Sequence, residues 1–223
     1  MTSDLFEIVG EAKDVLTTTV TETRLARAYR TDYDLESRNI WISDIESESG
    51  DWLRSVLWAF EMEAPNKPIT IWLNTPGGSV AAMFQMYDSI VGSPSHITII
   101  GHGEIISAGV LIFIAGHTRL VTENCVFMSH EGAGFSNDGL KYSEAKDRRK
   151  YEDWTMQRWA ELMARHTRYD VGHWKSITSR KAEFWLLGGQ ALVDYGIAHA
   201  IFDPASKLKA FPSLGKPLTD SAE

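Results

Sequence analysis

The sequence predicts an α/β fold in which helices alternate with the strands of a largely parallel sheet. Short runs rich in β-branched and aromatic residues alternate with longer runs whose apolar residues recur at helical spacing. The alternation repeats in units of about 30 residues, which is typical of right-handed βαβ crossovers. The chain has 223 residues, enough for one domain with a sizeable core.

The elements follow from this alternation in chain order. The predicted βα units are strand 39–42 with helix 51–63, strand 68–74 with helix 80–91, and strand 96–100 with the helical run 110–116. The run 101–109 between the last strand and its helix is predicted to be a turn. Two short strands at 119–122 and 125–129 come next, followed by a long helix at about 140–166. Such a helix would extend beyond a compact sheet, so its tryptophans favour a contact between subunits.

The main domain is predicted to lie between a polar arm and a short tail. Residues 1–36 are threonine-rich without a sustained apolar period, so we expect an N-terminal arm or loop that orders against a partner. The domain itself spans 37–205. Residues 206–223 carry two prolines and predict a poorly ordered C-terminal tail.

Composition argues against several function classes. The net charge of -8 disfavours a nucleic-acid-binding surface, because phosphate neutralisation needs a clustered positive field. No run approaches the roughly 20 apolar residues of a membrane span, and the N-terminus lacks a signal-peptide pattern. The single cysteine, Cys125, fits a reducing compartment, and its apolar neighbours predict a buried side chain. We therefore expect a cytoplasmic protein without membrane or nucleic-acid partners.

Residues that could take part in catalysis or ligand binding follow three of the predicted strands. They are the Gly77 and Gly78 pair, Ser107 and His130. Ligand sites of parallel sheets lie at the carboxyl ends of strands, so one crevice could hold all of them. A serine at a strand-to-helix junction lies near unpaired backbone N–H groups that favour an oxyanion, although a simple helix N-cap also fits this position. Histidine can accept the serine proton. A Gly-Gly turn lets a substrate backbone approach closely.

These segments resemble the ClpP family of serine peptidases, which form the proteolytic chamber of the Clp ATP-dependent proteases. The resemblance rests on LNTPGGSV at 73–80, GEIISAG at 103–109, MSHEG at 128–132 and QALVDYGI at 190–197. It extends from about residue 39 to residue 201. Their order and spacing carry more weight than any single motif.

The resemblance implies roles for individual residues. Ser107 would be the nucleophile and His130 the general base, with the backbone N–H groups of Gly78 and Ala108 as oxyanion donors. The family's catalytic aspartate falls on Glu183 here, and a one-residue insertion downstream leaves Asp170 as the alternative. Glutamate can orient a histidine as aspartate does, but its extra methylene changes the reach.

Other departures concern the neighbours of the nucleophile and the base. The methionine that usually follows the serine is Ala108, and the glutamine and proline that follow the histidine are Glu131 and Gly132. The proline helps to shape the substrate-pairing strand, so substrate binding is expected to differ. These changes indicate a divergent member of the family.

The resemblance also implies an assembly. It predicts the fold shared with crotonases, a homo-oligomeric tetradecamer of two stacked heptameric rings, and a central chamber for unfolded polypeptides. An AAA+ Clp ATPase would unfold substrates with ATP, and the chain itself would need no metal or nucleotide. The N-terminal arm would line the axial pore.

Alternative functions stay open at this level. Glu183 leaves room for a catalytically silent ring subunit that supports an active paralogue. The fold class also hosts crotonase-type enzymes, in which paired backbone N–H groups stabilise an enolate of an acyl-CoA thioester. A Ser/Lys peptidase is weaker, because no lysine lies at a persuasive spacing from these motifs.

Overall fold

The computed structural model describes residues 32–131, 141–178 and 183–203, and these form the predicted α/β fold. The strands are β1 (Tyr33–Asp34), β2 (Asn39–Ile42), β3 (Ile69–Thr75), β4 (Ile97–Ile106), β5 (Thr118–Val121), β6 (Val126–Ser129), β7 (Phe184–Leu187) and β8 (Ala200–Ile201). The helices are α1 (Ser49–Glu63), α2 (Val80–Val91), α3 (Ala108–Ile114), α4 (Tyr142–His166), α5 (Val171–Thr178) and α6 (Gly189–Tyr195).

The strands form one mostly parallel sheet in the order β1-β2-β3-β4-β5-β8, with β1 antiparallel to β2. Strand β4 has two different neighbours along its length. Its first half pairs with β5, whereas Glu104–Ile106 pair in parallel with β6. Strand β7 then adds to β6 in antiparallel orientation. The β6–β7 ribbon therefore leaves the main sheet where β4 ends.

The prediction for β4 was wrong in its length. The sequence predicted a strand at 96–100 followed by a turn, but β4 continues through this segment to Ile106. A bulge explains the difference: the β3 register skips between Leu73 and Thr75, and Gly103 adopts a φ of 77°. The amide of Asn74 bridges the bulge, because its Oδ1 accepts a hydrogen bond from the Glu104 N–H at 2.9 Å. The glycine-rich segment bends the strand instead of ending it.

Apolar periodicity accounts for the helices. The buried face of α1 is built from Leu53, Val56, Leu57 and Phe60, at the i, i+3, i+4 and i+7 positions that form one helical face. All seven residues of α3 are buried, so this short helix lies inside the core. Helix α4 confirms the prediction at 140–166 and packs through Trp159, Leu162 and Met163.

Arg119 on β5 connects the sheet to the C-terminal part of the fold by hydrogen bonds. Only 6% of this residue is exposed, and its guanidinium donates hydrogen bonds to the carbonyls of Ile197, His166 and Gly116. A buried cation needs such acceptors, because removing it from water is costly. Arg119 thus ties the end of α4 and the segment after α6 to the sheet.

Two predicted segments lie largely outside the described residues. Of the predicted N-terminal arm, residues 1–31 are not described, and Tyr33–Asp34 form β1. Residues 204–223, which include the predicted tail, are also not described. Within the described ranges, no helix is both long enough and apolar enough to cross a bilayer.

Candidate active site

Ser107 lies between the end of β4 and the start of α3. Its backbone has a φ of 55° and a ψ of -117°, a conformation that non-glycine residues rarely adopt. The Ser107 N–H donates to the Met128 carbonyl at 2.9 Å, and its own carbonyl accepts from the Val110 N–H. Such strain is typical of a serine held on a sharp strand-to-helix turn. Its side chain makes no cap hydrogen bond to α3, which removes the support for a simple N-cap role.

The glycine turn before α2 lies against this serine. Gly77 has a φ of 106°, and a Cβ on it would come within 2.7 Å of the Ser107 Cβ. Gly78 has a φ of 145°, and a Cβ there would lie 2.1 Å from the carbonyl oxygen of Ile45. Both positions therefore require glycine on steric and conformational grounds. The Ser79 N–H donates to the same Ile45 oxygen at 2.6 Å and fixes the turn.

Two backbone N–H groups at the crevice are available for a ligand. In the part of the chain that the structure describes, the N–H groups of Gly78 and Ala108 have no hydrogen-bond acceptor. Ala108 is the first residue of α3, where intrahelical acceptors are lacking. Both residues line the same crevice as Ser107. Unused donors of this kind can bind the oxygen of a polarised carbonyl.

His130 follows directly after β6 and is half-buried. The β4–β6 register pairs Ile106 with Met128, so Ser107 and His130 leave neighbouring parallel strands close to each other. Both side chains line one crevice. Within the described residues, however, no hydrogen bond joins the His130 ring to Ser107 or to Glu183.

Glu183 directly precedes β7 and is exposed. The antiparallel β6–β7 register pairs Ser129 with Phe184, so one further step places Glu183 across from His130. Its Oε2 accepts a hydrogen bond from the indole N–H of Trp185 at 3.0 Å. Glu183 therefore lies one position beyond the last residue pair of the ribbon, on the side of His130, and its carboxylate is hydrogen-bonded to Trp185.

Asp170, the alternative acid, caps the start of helix α5. Its Oδ1 accepts a hydrogen bond from the His173 N–H at 2.7 Å, at the start of α5. This is the geometry of a helix N-cap. Asp170 is not among the residues that line the crevice of Ser107 and His130.

The far wall of the crevice comes from α4, which the sequence did not connect with the site. The lining residues are Gly78, Val80, Met83, Ser107, Ala108, Ser129, His130, Thr155, Met156 and Trp159. Thr155 and Trp159 lie one helical turn apart on the face that meets the crevice. Their role depends on how a distant helix packs, and no local motif signals it.

Cys125 is fully buried, as predicted from its apolar neighbours. Burial in an apolar environment disfavours the thiolate and raises the pKa of its thiol to about 12. The thiolate is the nucleophilic form of cysteine. Cys125 is therefore a packing residue.

The fold and the crevice together define an α/β protein with a strained serine and a histidine at the ends of neighbouring parallel strands. The family model for Clp protease matches residues 25–205, which is most of the chain. The chain therefore belongs to the Clp protease family, as a divergent ClpP-like member.

Two curated relatives illustrate the divergence. The chain is 27% identical over 142 residues to the ATP-dependent Clp protease proteolytic subunit 1 of Bifidobacterium longum, covering 61% of this chain and 59% of the relative. It is 30% identical over 103 residues to the subunit of the same name from Leifsonia xyli, covering 45% and 52%. The chain thus spans little more than half the length of these relatives.

A solved structure carries the same fold. A ClpP1 mutant from Listeria monocytogenes superposes with a TM-score of 0.69 at 26% identity, over 78% of this chain and 96% of that chain. The α/β architecture is therefore the crotonase-like fold of ClpP, as the sequence predicted.

Proposed function

We propose that this chain is a serine endopeptidase that cleaves unfolded polypeptides through an acyl-enzyme. The observation that supports it best is the shared crevice, in which Ser107 and His130 lie beside the unused N–H groups of Gly78 and Ala108. A nucleophile, a base and two oxyanion donors are the parts that acyl transfer needs.

The proposed reaction has two halves. The Ser107 Oγ attacks the scissile carbonyl carbon while His130 takes its proton, and the carbonyl oxygen becomes an oxyanion at the Gly78 and Ala108 N–H groups. The C–N bond then breaks, and the amine leaves with the proton from His130. Water, deprotonated by His130, then attacks the Ser107 ester. The bond between the acyl carbon and Oγ breaks, Oγ takes the proton back from His130, and the carboxylic acid is released. Glu183 orients His130 and stabilises the imidazolium.

The experiment that tests this proposal is intact-mass spectrometry after incubation with a fluorophosphonate probe. We expect one adduct on the native chain and none on Ser107→Ala or His130→Ala, because the probe needs an activated serine. Ser55→Ala, at an exposed serine of α1 that does not line the crevice, is the control and should still react. An adduct that persists in Ser107→Ala would contradict the assignment.

The proposed assembly is a homo-oligomer of stacked rings that receives substrates from an AAA+ Clp ATPase. Family membership supports it, as do the exposed aromatic side chains of α4, with Trp154 55% exposed and Tyr142 87% exposed. Light scattering at several concentrations tests it: a mass that stays at that of the monomer would count against rings.

A catalytically silent ring subunit is the second candidate. It is favoured by one observation: within the described residues, no hydrogen bond joins the His130 ring to Ser107 or to Glu183. The fluorophosphonate experiment separates the two candidates. A ring-sized oligomer that gives no adduct would favour the silent subunit.

A further inference from the structure

The hydrogen bond between Trp185 and Glu183 involves the acid of the proposed triad. The donor is the indole Nε1 of Trp185 and the acceptor is Oε2 of Glu183, 3.0 Å apart. Trp185 and Leu186 are the aromatic-Leu pair that follows the acid position by two residues. The indole N–H of tryptophan is only a donor, so the direction of this bond is unambiguous.

The strand register places both side chains on the same side as His130. In the β6–β7 ribbon Met128 pairs with Trp185 and Ser129 pairs with Phe184. Because side chains alternate between the two faces of a strand, Trp185 and Glu183 share one face and Phe184 lies on the other. Residues directly opposite across an antiparallel pair have Cβ atoms roughly 5 Å apart. Glu183 is therefore within side-chain reach of His130.

The ring contacts of Phe184 agree with this assignment of faces. The Phe184 ring lies 6.4 Å from the Phe127 ring and 5.2 Å from the Tyr195 ring, on the core side of the ribbon. Trp185 and Glu183 are both exposed, on the opposite side. Phe184 thus anchors β7 to the core and fixes which way its neighbours point.

An exposed hydrogen bond of this kind adds little to folding, because water competes for both partners. Its larger effect is on orientation. Glutamate has one more rotatable bond than aspartate, so a free Glu183 carboxylate would sample more positions around His130. The bond from Trp185 uses Oε2 and restricts that sampling. Within the described residues Oε1 has no hydrogen bond, so it could accept one from the imidazole N–H.

We propose that Trp185 is a positioning residue that holds the Glu183 carboxylate beside His130 and so offsets the greater length of glutamate. This inference rests on the proposed function. It predicts that the contribution of Trp185 to catalysis passes entirely through Glu183.

The test is a double-mutant cycle on hydrolysis of a small fluorogenic peptide by the full chain. The variants are Trp185→Phe, which keeps a ring and removes the N–H, Glu183→Gln, and the double variant. Trp58→Phe is the matched control, since Trp58 is 57% exposed on a different element, α1. The oligomeric mass of each variant is measured in parallel.

We expect Trp185→Phe to lower kcat about tenfold with KM unchanged, because misplaced catalytic groups cost rate without weakening substrate binding. Glu183→Gln should lower kcat about 100-fold or more. In the Glu183→Gln background, Trp185→Phe should change kcat by less than about twofold, since coupled residues are non-additive. Trp58→Phe should match the native chain.

Two outcomes overturn the inference alone. One is native kcat in Trp185→Phe. The other is a full tenfold loss on adding Trp185→Phe to Glu183→Gln, which would mean that the indole supports the ribbon without acting through the acid. If the native chain neither hydrolyses the peptide nor reacts with the fluorophosphonate, the proposed function fails and this inference fails with it.

Discussion

Ser107 and Glu183 are placed by two different parts of the fold. Ser107 lies between the longest strand of the sheet and a helix whose seven residues are all buried, and Gly77 packs directly against it. Glu183 lies on the exposed face of the two-stranded β6–β7 ribbon, and one hydrogen bond from Trp185 orients it. The proposed nucleophile therefore shares the rigidity of the core, whereas the proposed acid depends on local side-chain contacts. Substitutions should separate the two regions.

The largest expected effect is at the glycine turn. Gly78→Ala would place a Cβ 2.1 Å from the Ile45 oxygen in a backbone with a φ of 145°. We expect a loss of about 3 kcal/mol or more in the free energy of unfolding, and loss of fluorophosphonate labelling because the Gly78 N–H moves. Urea unfolding measures the first quantity and intact mass the second.

The matched control is Gly172→Ala in α5, where the nearest atom to a new Cβ is the Asp170 side chain at 3.3 Å. Alanine at this exposed helix position should change the free energy of unfolding by no more than about 1 kcal/mol. Equal destabilisation by both substitutions would contradict the special status of the turn.

A smaller and different effect is expected at the acid. Glu183→Asp should leave the free energy of unfolding within about 0.5 kcal/mol of native, because the side chain is exposed. Its kcat should stay within about tenfold of native, since either acid can orient a histidine. Peptide hydrolysis and urea unfolding on the same samples check the two statements. A variant as unstable as Gly78→Ala would show that the acid region is part of the core after all.

The smallest expected effect is a pH dependence of stability from histidines near the buried Arg119. Burial lowers the pKa of His117, of His166 and of His199, and the charge of Arg119 lowers the last two further. A histidine with a lowered pKa in the folded state stabilises the fold fully above its unfolded pKa of about 6.5, and this contribution is lost as pH falls. We expect the urea midpoint to be lower at pH 5.5 than at pH 7.5.

His199→Asn tests the origin of this dependence. The Nδ1 of His199 accepts a hydrogen bond from the backbone N–H of Arg119 at 3.1 Å. The side-chain carbonyl of an asparagine can accept the same bond without titrating. The variant should lose less stability between pH 7.5 and pH 5.5 than the native chain does. An unchanged difference between the two pH values would point to other groups.

Much of the fold could be predicted because its elements are short and strongly patterned. Helix α2 was predicted with the bounds Val80–Val91 that it has, and β2 with the bounds Asn39–Ile42. Strand β4 could not be predicted at its full length, because the hydrogen bond that carries it through the bulge comes from Asn74 on another strand. From the sequence alone, the glycines at 101 and 103 predict that the strand ends there, because the contact with Asn74 cannot be seen.

The site was predictable where one short segment sets the geometry. The conformations of Ser107 and of the glycine turn depend on residues that are adjacent in sequence. Short sequence motifs therefore predict both. The contact of α4 with the crevice depends on the packing of a helix that begins at Tyr142, and Thr155 and Trp159 carry no local signal for it. The placement of Glu183 opposite His130 depends on the register of two strands far apart in sequence. The catalytic roles themselves stay predictions until the labelling experiment is done.

The burial of Cys125 makes this protein suitable for site-specific labelling through an introduced cysteine. It is the single cysteine of the chain, and a fully buried thiol with a pKa of about 12 will react slowly with maleimides at neutral pH. One cysteine introduced on an exposed surface, for instance in place of Ser55 on α1, would then accept a fluorophore or spin label selectively. Distances between such labels would then test the proposed ring assembly on an otherwise native chain.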